Sequence, residues 1–166
     1  MTRLRRRMEE TLTPTYRLSL SDFVSLAKPR ITLMVVLTAA GGMFLAPGSL
    51  PLSTVIVMLV TTATVVMGAN SLNCWLERDT DRLMRRTKTR PLPTGRMDPK
   101  VAKAFGLFLG AISVPSLTVF VNPLTGALGA LALISYVAMY TPMKRRAPSA
   151  LLVGSVPGAL PPLMGW

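Results

Sequence analysis

The 166-residue chain has no histidine and a single cysteine. Without an imidazole there is no histidine general base, no Cys/His metal spacing and no usual axial ligand for a heme iron. The lone thiol, Cys74, closes no disulfide within the chain and is read as a small packing residue. Acids are scarce: 7 Asp and Glu stand against 19 Lys and Arg, a net charge of +12. A secretory signal is also missing. The cluster Arg5-Arg6-Arg7 leads to Glu9, Glu10 and Asp22 rather than to a short apolar stretch with a small-residue cleavage site. Residues 1–21 therefore read as a retained basic tail on the cytoplasmic side, suited to anionic lipid headgroups.

What is present is hydrophobic. Half of the residues are apolar, and the mean hydropathy of +0.45 is that of a membrane protein. This coexists with the positive charge because the two are segregated. Residues 31–76, 104–143 and 147–166 carry no charge, and every Lys and Arg lies in 3–30, 78–103 or 144–146. A bilayer core about 30 Å thick takes a helix of roughly 20 residues, so the first two uncharged runs each fold back once. Pro/Gly clusters at Ala46-Pro47-Gly48 and Asn122-Pro123-Leu124-Thr125-Gly126 supply the turns. The pattern predicts an all-α, polytopic transmembrane helical bundle with five spans, at 23–46, 52–76, 103–120, 124–140 and 148–166. Neither hairpin turn holds a Lys or Arg. The basic tail, the 78–103 connection and the 143–147 connection then share the cytoplasmic side. The positive excess follows this rule and does not call for a nucleic-acid partner.

The stretch that carries chemistry starts at the cytoplasmic end of the second span. On a continuing helix Asn73, Glu77 and Asp81 recur every four residues and share one face. Two carboxylates and an amide oxygen in a row make a hard-oxygen site of the kind magnesium completes with water and substrate phosphates. Arg78, Arg82, Arg85, Arg86, Lys88 and Arg90 follow closely. Guanidinium groups pair bidentately with phosphate oxygens, and ammonium groups act as compact charges. An acidic stripe beside a basic cluster describes a site for a metal-bound diphosphate; the same charges also suit a solvated helix end. Tyr140 and Lys144, four apart at another cytoplasmic helix end, reach toward the same place, as do Lys28 and Arg30. These basic residues serve equally well as topology anchors. Pro157, Pro161 and Pro162 free backbone carbonyls in the fifth span, which suits either a simple kink or a broken helix lining a pocket.

Asn73, Glu77 and Asp81, followed by Arg86-Thr87-Lys88-Thr89-Arg90-Pro91-Leu92-Pro93, resemble the first aspartate-rich motif of the UbiA family of intramembrane prenyltransferases. Glu77 stands where most members have Asp. Lys28-Pro29-Arg30, the segment from Tyr140 to Arg146, and Gly158-Ala159-Leu160-Pro161-Pro162-Leu163-Met164-Gly165-Trp166 resemble the heme-farnesylating branch of that family. The resemblance implies roughly nine spans around a cavity, five of them here. It implies farnesyl diphosphate as donor and heme B as the substrate that accepts the farnesyl group on a vinyl carbon. Magnesium would be held by Asn73, Glu77 and Asp81, and the diphosphate by Lys28, Arg78, Arg86, Lys88, Arg90, Tyr140 and Lys144. A bacterial inner membrane, and heme A synthase or cytochrome oxidase assembly components as neighbours, are implied in the same way. The family's second acidic motif is missing and Trp166 ends an apolar span, so the chain is expected to be an N-terminal portion, silent on its own. Two other readings stay open: a prenyltransferase with an aromatic or quinone-precursor acceptor, and a non-enzymatic membrane transporter or assembly factor.

Overall fold

The computed structural model describes Tyr16, residues 18–144 and residues 146–166. The Arg5-Arg6-Arg7 cluster, most of the 1–21 tail and Arg145 lie outside the described residues. Among the described residues every regular element is helical: α1 Leu20–Ala27, α2 Pro29–Leu45, α3 Leu52–Asp81, α4 Pro99–Phe120, α5 Pro123–Ile134, a π-helical segment Ser135–Tyr140, α6 Thr141–Met143 and α7 Ala150–Gly165. Three of these helices, with α5 counted through to Met143, are long and apolar enough to cross a membrane, and the bent pair α1–α2 makes a fourth. The protein is thus a multi-pass integral membrane protein. The fifth expected span, 148–166, forms the 16-residue α7. At 1.5 Å per residue it is about 24 Å long, short of the hydrocarbon core. The shortening comes in part from the turn at residues 148–149, which delays the helix to Ala150.

Local chemistry sets the element ends. Asp98 caps α4 by accepting from the Lys100 N–H at 2.7 Å, and Asn122 caps α5 by accepting from the Thr125 N–H at 2.7 Å. Each cap precedes a proline at the first helical position, where a missing N–H costs nothing. Lys28 separates α1 from α2 in a left-handed conformation, φ 49°. It is the one non-glycine residue with positive φ among those described. The two helices meet there at 46°. The break strips the Ala27 carbonyl of its helical partner. Thr32 Oγ1 donates to it at 2.8 Å and the buried Asn70 Nδ2 at 3.2 Å, tying the break to α3.

Helix contacts rest on small residues, as expected where lipid removes the hydrophobic drive between spans. Gly68 of α3 meets Gly106 and Gly110 of α4: a Cβ on Gly106 would lie 2.7 Å from Leu72 Cγ and 3.0 Å from the Gly68 carbonyl oxygen. On the other side α2 and α7 close on one another, Gly42 against the Pro162 carbonyl and Gly165 against the Ala39 carbonyl. Large side chains such as Leu37, Phe44, Val60, Phe108 and Leu151 stay exposed, on the faces lipid would cover. Helix α7 runs unbroken through Pro157, Pro161 and Pro162.

Gly106→Val should lower stability by about 1–3 kcal/mol through overpacking of the α3–α4 contact. Gly41→Ala, where an added Cβ meets nothing within 4 Å, should leave it unchanged or slightly raised. Thermal unfolding of the two variants in one detergent checks the contrast.

Candidate active site

The α3 helix does not stop at residue 76 but runs to Asp81, carrying Asn73, Glu77 and Asp81 on one buried face. A carboxylate taken out of water must be paired, and here each is. Lys144 Nζ lies 2.6 Å from Glu77 Oε1. Arg90 Nη1 lies 2.7 Å from Asp81 Oδ2. Asn73 links the acids to a third cation. Its Oδ1 accepts from Lys28 Nζ at 2.7 Å, and its Nδ2 donates to Glu77 Oε2 at 2.9 Å and to Thr141 Oγ1 at 3.2 Å. One chain of contacts therefore runs from the α1–α2 break, across α3, to the end of α6. The left-handed Lys28 aims its side chain at α3, which gives the backbone strain at that residue a purpose.

Arg90 is held from below. Leu92 and Met97 of the 82–98 connection are buried in a cluster with Leu26, Cys74 and Ala102. Cys74 is accordingly a packing residue, as expected. Thr87 Oγ1 donates to the Asp81 carbonyl at 2.9 Å, folding the connection back over the end of α3. Arg96 Nη2 lies 3.4 Å from Asp22 Oδ1, joining the connection to α1. The basic connection is thus an anchored cover rather than a free loop.

Thr141 and Lys144 reach α3 because the preceding turn is wide. Pro142 cannot donate a backbone hydrogen bond and its ring crowds the turn before it, and Ser135–Tyr140 relaxes into π-helix. Thr141 Oγ1 donates to the Tyr136 carbonyl at 2.8 Å. Tyr136 and Tyr140 stack with centroids 5.6 Å apart. Their rings, together with Asn70, line the head of an apolar cavity of about 240 Å³ that descends between α2, α3, α5 and α7. Pro157, Gly158 and Pro161 form part of its wall, so the proline-rich helix does border a pocket while staying helical.

Of the residues singled out from the sequence, Lys28, Asn73, Glu77, Asp81, Arg90 and Lys144 come together, with Tyr140 beside Lys144 at 5.6 Å from nitrogen to ring centroid. Arg78 turns away: it donates to the Trp75 carbonyl at 2.9 Å and pairs with the exposed Asp79 at 3.5 Å. Arg30, Arg82, Arg85, Arg86 and Lys88 are exposed and stand outside the cluster. Thr141, Asn70 and Thr87 were not anticipated. Thr141 and Thr87 each lie inside a motif the sequence had marked, and that proximity was the available signal. Among the described residues no three His, Cys, Asp or Glu side chains gather as a metal group. The oxygen donors are Glu77, Asp81 and the Asn73 amide. Two carboxylates and an amide match magnesium's habit of taking few protein ligands and completing its shell with phosphate oxygens.

The model of the UbiA prenyltransferase family matches residues 35–166. The chain belongs to that family. Among its relatives, a protoheme IX farnesyltransferase of Myxococcus xanthus is 56% identical over 88% of this chain and 50% of its own length. One from Anaeromyxobacter sp. is 52% identical over 87% of this chain and 49% of its own. One from Ehrlichia canis is 39% identical over 95% and 54%. The chain spans about half the length of these curated relatives. No solved structure matches it.

Arg90→Ala would leave the buried Asp81 carboxylate without its guanidinium and should cost at least about 2 kcal/mol. Arg86→Ala, at an exposed position, should stay within about 0.5 kcal/mol of the parent. Unfolding in matched micelles, with the protein carrying one change at a time, reads the difference.

Proposed function

We propose that this chain is the donor-binding half of a protoheme IX farnesyltransferase, which moves farnesyl from farnesyl diphosphate to the outer vinyl carbon of heme B, releases diphosphate and, with a water adding at the inner vinyl carbon and losing a proton, yields heme O. The supporting observation is the cluster of Lys28, Arg90 and Lys144 around Glu77 and Asp81, next to the cavity: Asn73 is one turn from the lining Asn70, and Lys144 lies against the lining ring of Tyr140. Three cations face two carboxylates there, leaving positive charge in a partly buried place suited to a diphosphate. The cavity below is suited to a prenyl tail. The names of the relatives point to the same donor and acceptor.

In this reading Glu77 and Asp81, with the Asn73 oxygen, hold magnesium, which when bound offsets charge on the leaving diphosphate. The rest falls to the chain's own groups. Lys28 and Lys144 carry flexible ammonium groups now resting on Asn73 Oδ1 and Glu77 Oε1. They would turn to phosphate oxygens, and Asn73 Oδ1 and Glu77 Oε1 would then be available to hold the metal. Arg90 stays on Asp81 and fixes its carboxylate. As the bond from diphosphate to the allylic carbon lengthens, the cation forms beneath the cluster. There the faces of Tyr136 and Tyr140 stabilise it and the apolar walls exclude water. The basic end of the bundle lies on the cytoplasmic side of a bacterial inner membrane, where the donor is soluble enough to arrive.

Expression of the full natural reading frame carrying this chain, in cells that lack their own heme O synthase, should produce heme O. Asp81→Ala should reduce it by about 100-fold or more at unchanged protein level. A well-expressed parent that prenylates an aromatic quinone precursor and makes no heme O would overturn the acceptor assignment.

A further inference from the structure

The cavity beneath the charged cluster has a definite depth. Asn70, Ala69, Val66, Val65 and Thr62 descend its α3 wall. From Asn73, in the charged cluster one turn above Asn70, to Val65 and Thr62 is about two to three helical turns, or about 12–16 Å at 1.5 Å per residue. Three isoprene units laid end to end span a similar distance. At that level the space is filled. Met164 of α7 and Val65 of α3 are buried in one apolar cluster with Ala39, Met58 and Leu117. Met164 and Val65 meet at Gly129 of α5: a Cβ built there would lie 3.5 Å from Met164 Cε and 4.0 Å from Val65 Cγ2. The backbones of α2 and α7 are locked around the same point by Gly165 against Ala39. The floor is therefore made of side-chain ends on a rigid backbone frame. Methionine, long and unbranched, is the part of it that a substitution can remove without moving a helix.

We propose that Met164, backed by Val65, sets the prenyl chain length this protein accepts, closing the cavity after the third isoprene unit. This rests on the donor-site reading above and adds what limits the donor. Shortening either side chain opens the floor toward Met58 and Leu117, making room for a fourth unit. Enlarging Val65 raises the floor by part of a turn and excludes the third. Pockets of this kind discriminate about tenfold or more for a modest change in apolar fill.

The test uses membranes carrying the full natural reading frame, with magnesium, supplied with geranyl, farnesyl and geranylgeranyl diphosphates in competition. Both bound donor and prenylated heme are measured. Met164→Ala and Val65→Ala should each raise the geranylgeranyl-to-farnesyl ratio, in binding and in product, by at least about tenfold. Val65→Phe should shift preference toward geranyl. Two substitutions on two helices guard against one of them failing to fold. If the folded variants keep the parent's chain-length ratio, the proposal is wrong. Farnesyl diphosphate bound without prenylated heme would count against the acceptor assignment alone. In that case the binding ratios still decide the role of Met164.

Discussion

Two carboxylates near the end of an apolar helix cannot remain charged there unless cations come to them, and the head of this bundle is arranged around that requirement. Glu77 and Asp81 are each met by a cation at 2.7 Å or less, and Asn73 passes a third cation, Lys28, into the same network. Those cations come from three different places in the chain. Lys28 arrives through a left-handed break, Arg90 through a connection pinned by buried Leu92 and Met97, and Lys144 through a π-helical turn. Each of these irregularities would be a local cost in an isolated helix. Together they converge on one face of α3.

That convergence needs a frame that does not yield. Spans in lipid have little hydrophobic reason to hold together, and the large apolar side chains of this protein mostly face outward. Glycine supplies the frame instead. Gly68, Gly106 and Gly110 let α3 and α4 approach closely, and Gly42 and Gly165 do the same for α2 and α7. The cavity lies between these two locked pairs, with Tyr136, Tyr140 and Met164 among the residues that line it. A rigid frame with charge at one end and apolar space below is what a donor with a diphosphate head and a prenyl tail requires.

Much of this was legible before the fold was seen. Charge segregation located the long apolar helices, because a run of uncharged residues longer than one bilayer crossing has to turn at its Pro/Gly clusters. The four-residue spacing placed Asn73, Glu77 and Asp81 on one face, because helix geometry leaves no alternative. Lys28, Arg90 and Lys144 could be marked as candidates by charge and position. Sequence could not separate them from Arg78, Arg86 and Lys88. The distinction depends on which way a turn sends a side chain, and Arg78, one residue past Glu77, points to Trp75. The left-handed Lys28 was hidden because lysine has no preference for that conformation; only Pro29 after it hints at a break. The hydrogen bond from Asn73 to Thr141 spans 68 residues of chain, which no local pattern encodes; for the π-helical turn Pro142 was the one local hint.

The central claim is that this network is a seat for a metal-bound diphosphate. The direct measurement is equilibrium binding of farnesyl diphosphate to the full natural reading frame in lipid nanodiscs, with and without magnesium, for the parent protein and for Glu77→Gln. The account predicts saturable, magnesium-dependent binding in the parent and loss of that dependence in the variant. Equal affinity with and without magnesium, unchanged by Glu77→Gln, would contradict it.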